Sequence, residues 1–474
     1  MTFYFFDVET SGFKPRADRI MQFAGQRTDM DFKPIGPPDN LLIKLSSDVL
    51  PQPDAILITG ITPQATLAGG ISEAAFCKYL TSQVSTDDTI LVGYNNLRFD
   101  NEFIRFSLWR NFYDPYEWSW KNGCSTWDLL DVGRMTRALR PEGIKWPYAS
   151  DGRPSNKLEL LASINKLDHS AAHDALSDVM ASIGFARLLK TSQPKLFDYL
   201  LNLRNKNKVA VLVGKGQPLV YTSGRYLGDW QKTTVAAMVI QNPKRASALM
   251  YDLRIDPEPF ADMAPTELAS RWAARGEDAA YFPVKELSYN RCPALAPLSV
   301  MDKASQKRLG LRLELIENHS KKLKSLNNFG NKLLEALEIK RSAYQPQLVV
   351  DDLSVDGALY DGFIQDVDKP KMSAVNAANP SDLPSLDPKF KDQRLKLLFP
   401  LFKARNFPES LNAEEKRWWQ DYRRRKLLAG GSLSPAAVFE KRLQEIAATP
   451  GLTKEHQYLV NELEAYSLSI LPKA

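Results

Sequence analysis

Two carboxylates stand at the end of an apolar run near the N-terminus, in Phe5-Phe6-Asp7-Val8-Glu9-Thr10-Ser11-Gly12. The β-branched and aromatic residues from Thr2 to Val8 predict a buried strand, and Ser11-Gly12 turns the chain directly after it. Alternate residues of a strand share a face, so Asp7 and Glu9 project together at the end of a hydrophobic sheet. Two like charges in such a place repel one another and resist desolvation, and they require a counter-charge. A divalent cation provides it, and oxygen ligands of this kind suit Mg²⁺ or Mn²⁺. An Asp-x-Glu triplet also arises by chance in a long chain, with one acid capping the turn and the other in solvent. The pair therefore acquires meaning only from residues downstream.

Strands are predicted next at Ile20–Thr28 and Leu41–Leu45, then a helix over Ser72–Val84 and a strand over Thr89–Tyr94. Strands first and alternation afterwards point to an α/β sandwich with a mixed sheet. The strand ending at Tyr94 runs into Asn95-Asn96-Leu97-Arg98-Phe99-Asp100, and a helical pattern extends from Asp100 toward Asn111. Two readings are open for Asp100: an acid favoured at a helix start, or a site residue at the C-terminal edge of a strand, where α/β sheets carry their chemistry. Further on, His173-Asp174-Ala175-Leu176-Ser177-Asp178 precedes the apolar helix Val179–Leu189. Five helical residues turn through about 500°, so His173 and Asp178 do not share a face. His173 is placed at or before the helix start, free to reach over the site, and Asp178 in the second turn. A helix cap and a solvated position are their alternatives, and His169 reads as a loop residue.

Asp-x-Glu-Thr at 7–10, Asn-x-x-Phe-Asp at 96–100 and His-x-x-x-x-Asp at 173–178 together resemble the DEDDh exonuclease family, in order and in structural context. The resemblance implies an α/β ribonuclease H-like exonuclease domain. It also implies that Asp7, Glu9, Asp100 and Asp178 are catalytic residues holding two divalent metals, Mg²⁺ with Mn²⁺ able to substitute, and that His173 is the general base. The chemistry is coherent in its own right. Two cations roughly 3.5–4 Å apart activate a water and neutralise a leaving alkoxide, and four carboxylates balance their charge. An imidazole with a pKa near ~6.5 can take the water's proton at neutral pH.

The segments Leu50-Pro51-Gln52-Pro53, Ile58-Thr59-Gly60-Ile61-Thr62-Pro63, Gly93-Tyr94-Asn95-Asn96, Arg110-Asn111-Phe112-Tyr113-Asp114-Pro115-Tyr116 and Leu139-Arg140-Pro141-Glu142-Gly143 are similar to the bacterial exodeoxyribonuclease I family. That resemblance implies processive 3′→5′ degradation of single-stranded DNA to 5′-mononucleotides, in DNA repair and recombination. Between Asp100 and the histidine motif lies an aromatic and basic tract. Aromatic faces stack on unpaired bases and arginines follow phosphates. Trp109 and Trp127 are assigned to the core, and Tyr116 and Trp120 to the strand path, because Pro115 and the neighbouring charges imply an exposed loop. Glu9, Thr10, Arg105, Arg134, Asn156 and Lys157 complete the candidate substrate contacts. Lys157 precedes a helix starting near Leu158, whose N-terminus could hold a phosphate.

Ser192-Gln193-Pro194 closes a first domain at 1–194. Short strand-like runs at Val209–Val213, Leu219–Thr222, Val235–Ile240 and Ala248–Leu253 give 195–347 an all-β texture, which turns helical from Lys303. The resemblance implies an SH3-like β-barrel here, where Lys285 is either a DNA contact or a solvated lysine. The last segment, 348–474, opens with an acidic connector, Val350-Asp351-Asp352-Leu353-Ser354-Val355-Asp356, and carries Lys416-Arg417-Trp418-Trp419 and Arg423-Arg424-Arg425-Lys426 on amphipathic helices. It is read as an α-helical C-terminal domain that closes over the cleft. Its basic faces either admit single strands or are ordinary solvated faces. The family implies a partner for them, the acidic C-terminal tail of a single-stranded-DNA-binding protein.

A net charge of +6 over 474 residues leans toward polyanionic partners. Three scattered cysteines, Cys77, Cys124 and Cys292, argue against a disulfide framework or a zinc site and fit a reducing cytoplasm. No apolar stretch reaches the ~18 residues of a membrane span, and no basic, apolar leader opens the chain. A cytoplasmic monomer without membrane contact is expected. An RNA-directed exonuclease on the same catalytic domain, and a catalytically dead strand-binding protein, are the rival readings.

Overall fold

The computed structural model describes residues 1–167, 174–276, 280–343 and 350–472. They form two compact units, one from the described residues of Met1–Ser125, Ser170–Met180 and Val349–Ala474, the other from those of Thr126–His169 and Ala181–Leu348.

The first unit is built on a mixed sheet. Strands β1 (Thr2–Thr10), β2 (Ile20–Thr28), β3 (Asp39–Leu42) and β4 (Thr89–Gly93) lie in the order β3-β2-β1-β4. β1 runs antiparallel to β2 and parallel to β4, so it is buried on both sides of the ladder. Tyr4, Phe6, Val8 and Phe23 pack with Phe76, Leu80, Phe103 and Trp118 in one core cluster. β3 begins two residues earlier and ends sooner than expected, since Ile43 pairs instead with Ile71 as an isolated bridge. The predicted Ser72–Val84 helix is a capped α-helix, Glu73–Tyr79 with Ser72 as its cap, continued by a π-turn over Leu80–Val84.

The C-terminal segment belongs to this same unit. Phe106, Trp109 and Phe112, from the helix Asp100–Arg110 and the turn after it, pack with Leu359, Leu395, Leu398, Phe402 and Tyr422, and the Trp109 indole N–H donates to Val355 O at 3.1 Å. Ion pairs reinforce the contact. Arg405 bonds Asp48 and Asp356 at 2.7 Å each, Lys426 bonds Asp48 at 2.6 Å, and Arg19 bonds Asp356 at 2.7 Å. Burial works against ionisation of Asp48, but Arg405, Lys426 and Arg19 hold its carboxyl well below the usual range.

These pairs correct the reading of 350–356 as a connector. The acidic stretch is no mere connector, because Asp352 binds Arg425 at 2.6 Å and Asp356 lies in the buried cluster. On the helix Ala413–Leu428, Arg423, Arg425 and Lys426 are spent on internal partners, while Lys416, Arg417 and Arg424 are exposed. Charge counting along the sequence could not separate these groups, since an ion pair depends on what a remote segment brings to the face.

The second unit holds a five-stranded antiparallel sheet. Its order is Ala294–Pro297, Leu219–Thr222, Thr233–Gln241, Ser247–Asp252, Val284–Ser288. Three of the four runs predicted as strands are strands. The fourth, Val209–Val213, lies in the helix Lys206–Gly214, capped by Asn205 through the Asn207 N–H. Val209 and Val213, four apart, share its buried face, so burial overrides the β preference of valine. Lys303–Leu309, Leu313–Ser325 and Phe329–Ser342 are helices, as expected. Among the described residues no helix is long and apolar enough to cross a membrane.

Candidate active site

Period-two alternation brings Asp7 and Glu9 to one face of β1. Asp7 stands opposite Ala24 and Glu9 opposite Gln22, and the register shifts between Glu9 and Thr10. β4 runs beside β1 and delivers its continuation to the same edge. A side chain at Gly93 would meet Asn96 at 2.5 Å, so only glycine permits this turn. The chain passes Asn95 in the left-handed region, at φ 68°, and re-enters helix at Asp100. Asp100 is buried, and the Val8 N–H, between the two acids of β1, donates to its Oδ1 at 3.1 Å.

Asp178 reaches the site from the helix Ala175–Ser192. It lies in the first turn and not the second, because the helix starts only at Ala175 and Asp178 is its fourth residue. Asp174 stands just before that helix, and its Oδ2 accepts from the Ser177 N–H at 3.1 Å. One carboxylate oxygen from each of Asp7, Glu9 and Asp178 lies within 4.8 Å of the other two.

The electrostatics follow from this crowding. Burial, then the charges of Asp100, Glu9, Asp178 and Asp174, push the Asp7 carboxyl well above its ordinary range. Burial, then Asp178, Asp100 and Asp174, push Glu9 up to about 8. Converging carboxylate oxygens that cannot all ionise alone fit a hard divalent cation of the Mg²⁺ or Mn²⁺ kind. His173, the expected base, lies outside the described residues, as does His169.

The expected strand contacts of this unit are in varied surroundings. The Thr10 hydroxyl donates to Gly12 O at 2.7 Å and so shapes the turn. Arg105 is paired with Glu102 at 2.6 Å, and its guanidinium lies 5.4 Å from the Tyr116 ring. Tyr360 O–H donates to the other Glu102 oxygen at 2.5 Å. Tyr116 is thus covered on one face, while Trp120 is 60% exposed. Trp109 and Trp127 are buried, as assigned.

The other candidates belong to the second unit. Arg134 pairs with Asp131 at 2.7 Å, and Asn156 is half-buried. Lys157 occupies the cap position of the helix Leu158–Asn165 without a side-chain cap bond; its ammonium is exposed and 3.4 Å from Glu159. Lys285 is not simply solvated, since its ammonium lies 4.2 Å from the Tyr221 ring and 5.4 Å from that of Tyr226.

Two residues escaped the sequence reading. Asp174 sits inside the histidine motif, where its cap position was the available signal. Gln22, a buried polar residue in an apolar strand, donates to Asp174 and Asn40.

Comparison with known proteins gives the same three parts in order. Residues 4–185 match the family profile described as Exonuclease, 204–338 that of the Exonuclease I SH3-like domain, and 353–470 that of the Exonuclease I C-terminal domain. The chain is 42% identical over 430 residues to Exodeoxyribonuclease I of Escherichia coli, covering 89% of each protein. It superposes on the zinc-bound E. coli ExoI–ssDNA complex with a TM-score of 0.91 at 38% identity, over 99% of both chains. It superposes on Exonuclease I in a complex described as SSB/Exonuclease I with the inhibitor CFAM with a TM-score of 0.89, also at 38% identity and 99% coverage of both. An α/β exonuclease domain, an SH3-like domain and a helical C-terminal domain thus follow one another along a chain that belongs to the exodeoxyribonuclease I family.

Proposed function

We propose that the chain is a metal-dependent 3′→5′ exonuclease that degrades single-stranded DNA processively to 5′-mononucleotides. The observation that carries this reading is the convergence of Asp7, Glu9 and Asp178, with Asp100 bonded to the backbone between the first two. Asp7, Glu9, Asp100 and Asp178 would hold two divalent cations, Mg²⁺ with Mn²⁺ as a substitute. When bound, such cations lower the pKa of the attacking water and neutralise the leaving oxygen. The chain's own contribution is to fix those ligands on a rigid strand end and two helix starts, so that little reorganisation is needed on binding. His173 takes the proton of the attacking water at an imidazole nitrogen.

Tyr116 and Trp120 offer ring faces to unpaired bases, and Arg105 steadies Tyr116 through its contact with the ring. Thr10, Arg134, Asn156 and Lys157 are assigned to the sugar-phosphate path. Segments 1–194, 195–347 and 348–474 serve as the nuclease, SH3-like and helical domains. The enzyme acts as a cytoplasmic monomer in DNA repair and recombination. Its partner is a single-stranded-DNA-binding protein, held by its acidic C-terminal tail; the SSB/Exonuclease I relative supports the partner.

Digestion of single-stranded DNA and RNA oligomers labelled at either end, in Mg²⁺ and in EDTA, tests the reading. Stepwise loss of a 3′ label from DNA, abolished by EDTA, is expected. Full activity in EDTA, or a preference for RNA, overturns it.

A further inference from the structure

Gln22 stands directly opposite Glu9 in the β1–β2 ladder, so both side chains leave the sheet on the face that carries Asp7. It is 6% exposed, and a buried amide is costly unless its donors are used. Its Nε2 donates to Asp174 Oδ1 at 3.3 Å and to Asn40 Oδ1, on β3, at 2.8 Å. The second oxygen of Asp174 accepts the Ser177 N–H and so closes the first turn of the helix that presents Asp178. A continuous tether thus runs from the sheet to the start of that helix. It holds Asp174 and Asp178 against the repulsion of Asp7 and Glu9, whose carboxyls feel both charges.

We propose that Gln22 is a positioning residue for the metal-holding carboxylates, its amide pinning Asp174 and with it the helix start that carries Asp178. The proposal rests on reading the acid cluster as a cation site. A residue that only filled space would be replaced without loss by Gln22→Met, which has a similar length and no donor. Gln22→Glu keeps the shape but turns an acceptor toward Asp174.

The test is Mn²⁺ binding to the metal-free, full-length protein, followed by electron paramagnetic resonance without DNA. Circular dichroism and separate kcat and KM values for a single-stranded oligomer accompany it. Wild type is expected to bind Mn²⁺, Gln22→Met to bind about tenfold more weakly, and Gln22→Glu more weakly still. The kcat falls in the same order, while KM for DNA stays within about twofold. Mn²⁺ affinity in both variants within about twofold of wild type overturns the proposal, as does a loss that only tracks the folded fraction. A wild-type protein that binds no Mn²⁺ overturns the cation reading itself, a separate failure visible before any variant is made.

Discussion

Glu9 offers a test of the acid cluster that needs no catalysis. Without metal, burial and then Asp178, Asp100 and Asp174 push its carboxyl from 4.5 up to about 8. Between those values the folded protein keeps a proton that the unfolded chain has released, so stability falls as pH rises. Each pH unit costs about 1.4 kcal/mol per retained proton, or about 4 kcal/mol from pH 5 to pH 8. Glu9 is only half-buried, and solvent screening brings this to about 2 kcal/mol. At about 2 °C per kcal/mol for a unit of this size, the melting temperature should drop by roughly 4 °C over that range. Glu9→Gln removes its part of the titration, leaving that of Asp7, and so lessens the slope and raises the melting temperature at the alkaline end. Saturating Mg²⁺ flattens the wild-type slope as well, because a bound cation displaces the retained proton. Scanning fluorimetry across this pH range, in EDTA and in Mg²⁺, reads all three. The reasoning is refuted if the wild type in EDTA melts at one temperature throughout, or if Glu9→Gln keeps the wild-type slope.

Asp178→Asn should reduce cleavage of single-stranded DNA to background while affinity for an oligomer, measured by fluorescence anisotropy, changes by less than about threefold. Retained cleavage would remove Asp178 from the ligand set. Trp120→Ala should weaken DNA binding by about 1–3 kcal/mol with kcat unchanged, and an unaltered Kd would take the ring off the strand path. Arg405→Met strips Asp48 and Asp356 of a shared buried partner and should cost about 3–5 kcal/mol, read as a lower urea midpoint. A wild-type midpoint would contradict the structural weight given to those pairs.

The parts of this protein that were legible in its sequence are those governed by short-range periodicity. The strand from Thr2, the strand Ile20–Thr28 and the helix starting at Asp100 follow from strand-like apolar runs and a helical pattern. They suffice to put Asp7, Glu9 and Asp100 at one sheet edge. Asp178 was found by its place in a motif, but it falls one turn nearer the helix start than expected, because Asp174 stands before the helix and caps it, so that the helix starts only at Ala175. Val209–Val213 was misread for a related reason: β-branched composition says nothing about which face a neighbour covers. The fate of Arg423, Arg425 and Lys426 was wholly hidden, since their partners lie elsewhere in the chain at Ser47, Asp352 and Asp48.

The cluster of Arg19, Asp48, Asp356, Arg405 and Lys426 also bears on the order in which the polypeptide can mature. Asp48 has its ion-pair partners, Arg405 and Lys426, far downstream in the chain, and the apolar side of the Asp100–Arg110 helix finds its cover there too. A nascent chain that has emerged only as far as the SH3-like part still carries an acid without its two ion-pair partners and a hydrophobic flank without its downstream cover. The strand end that bears the acids is laid down well before the helical segment that completes its unit.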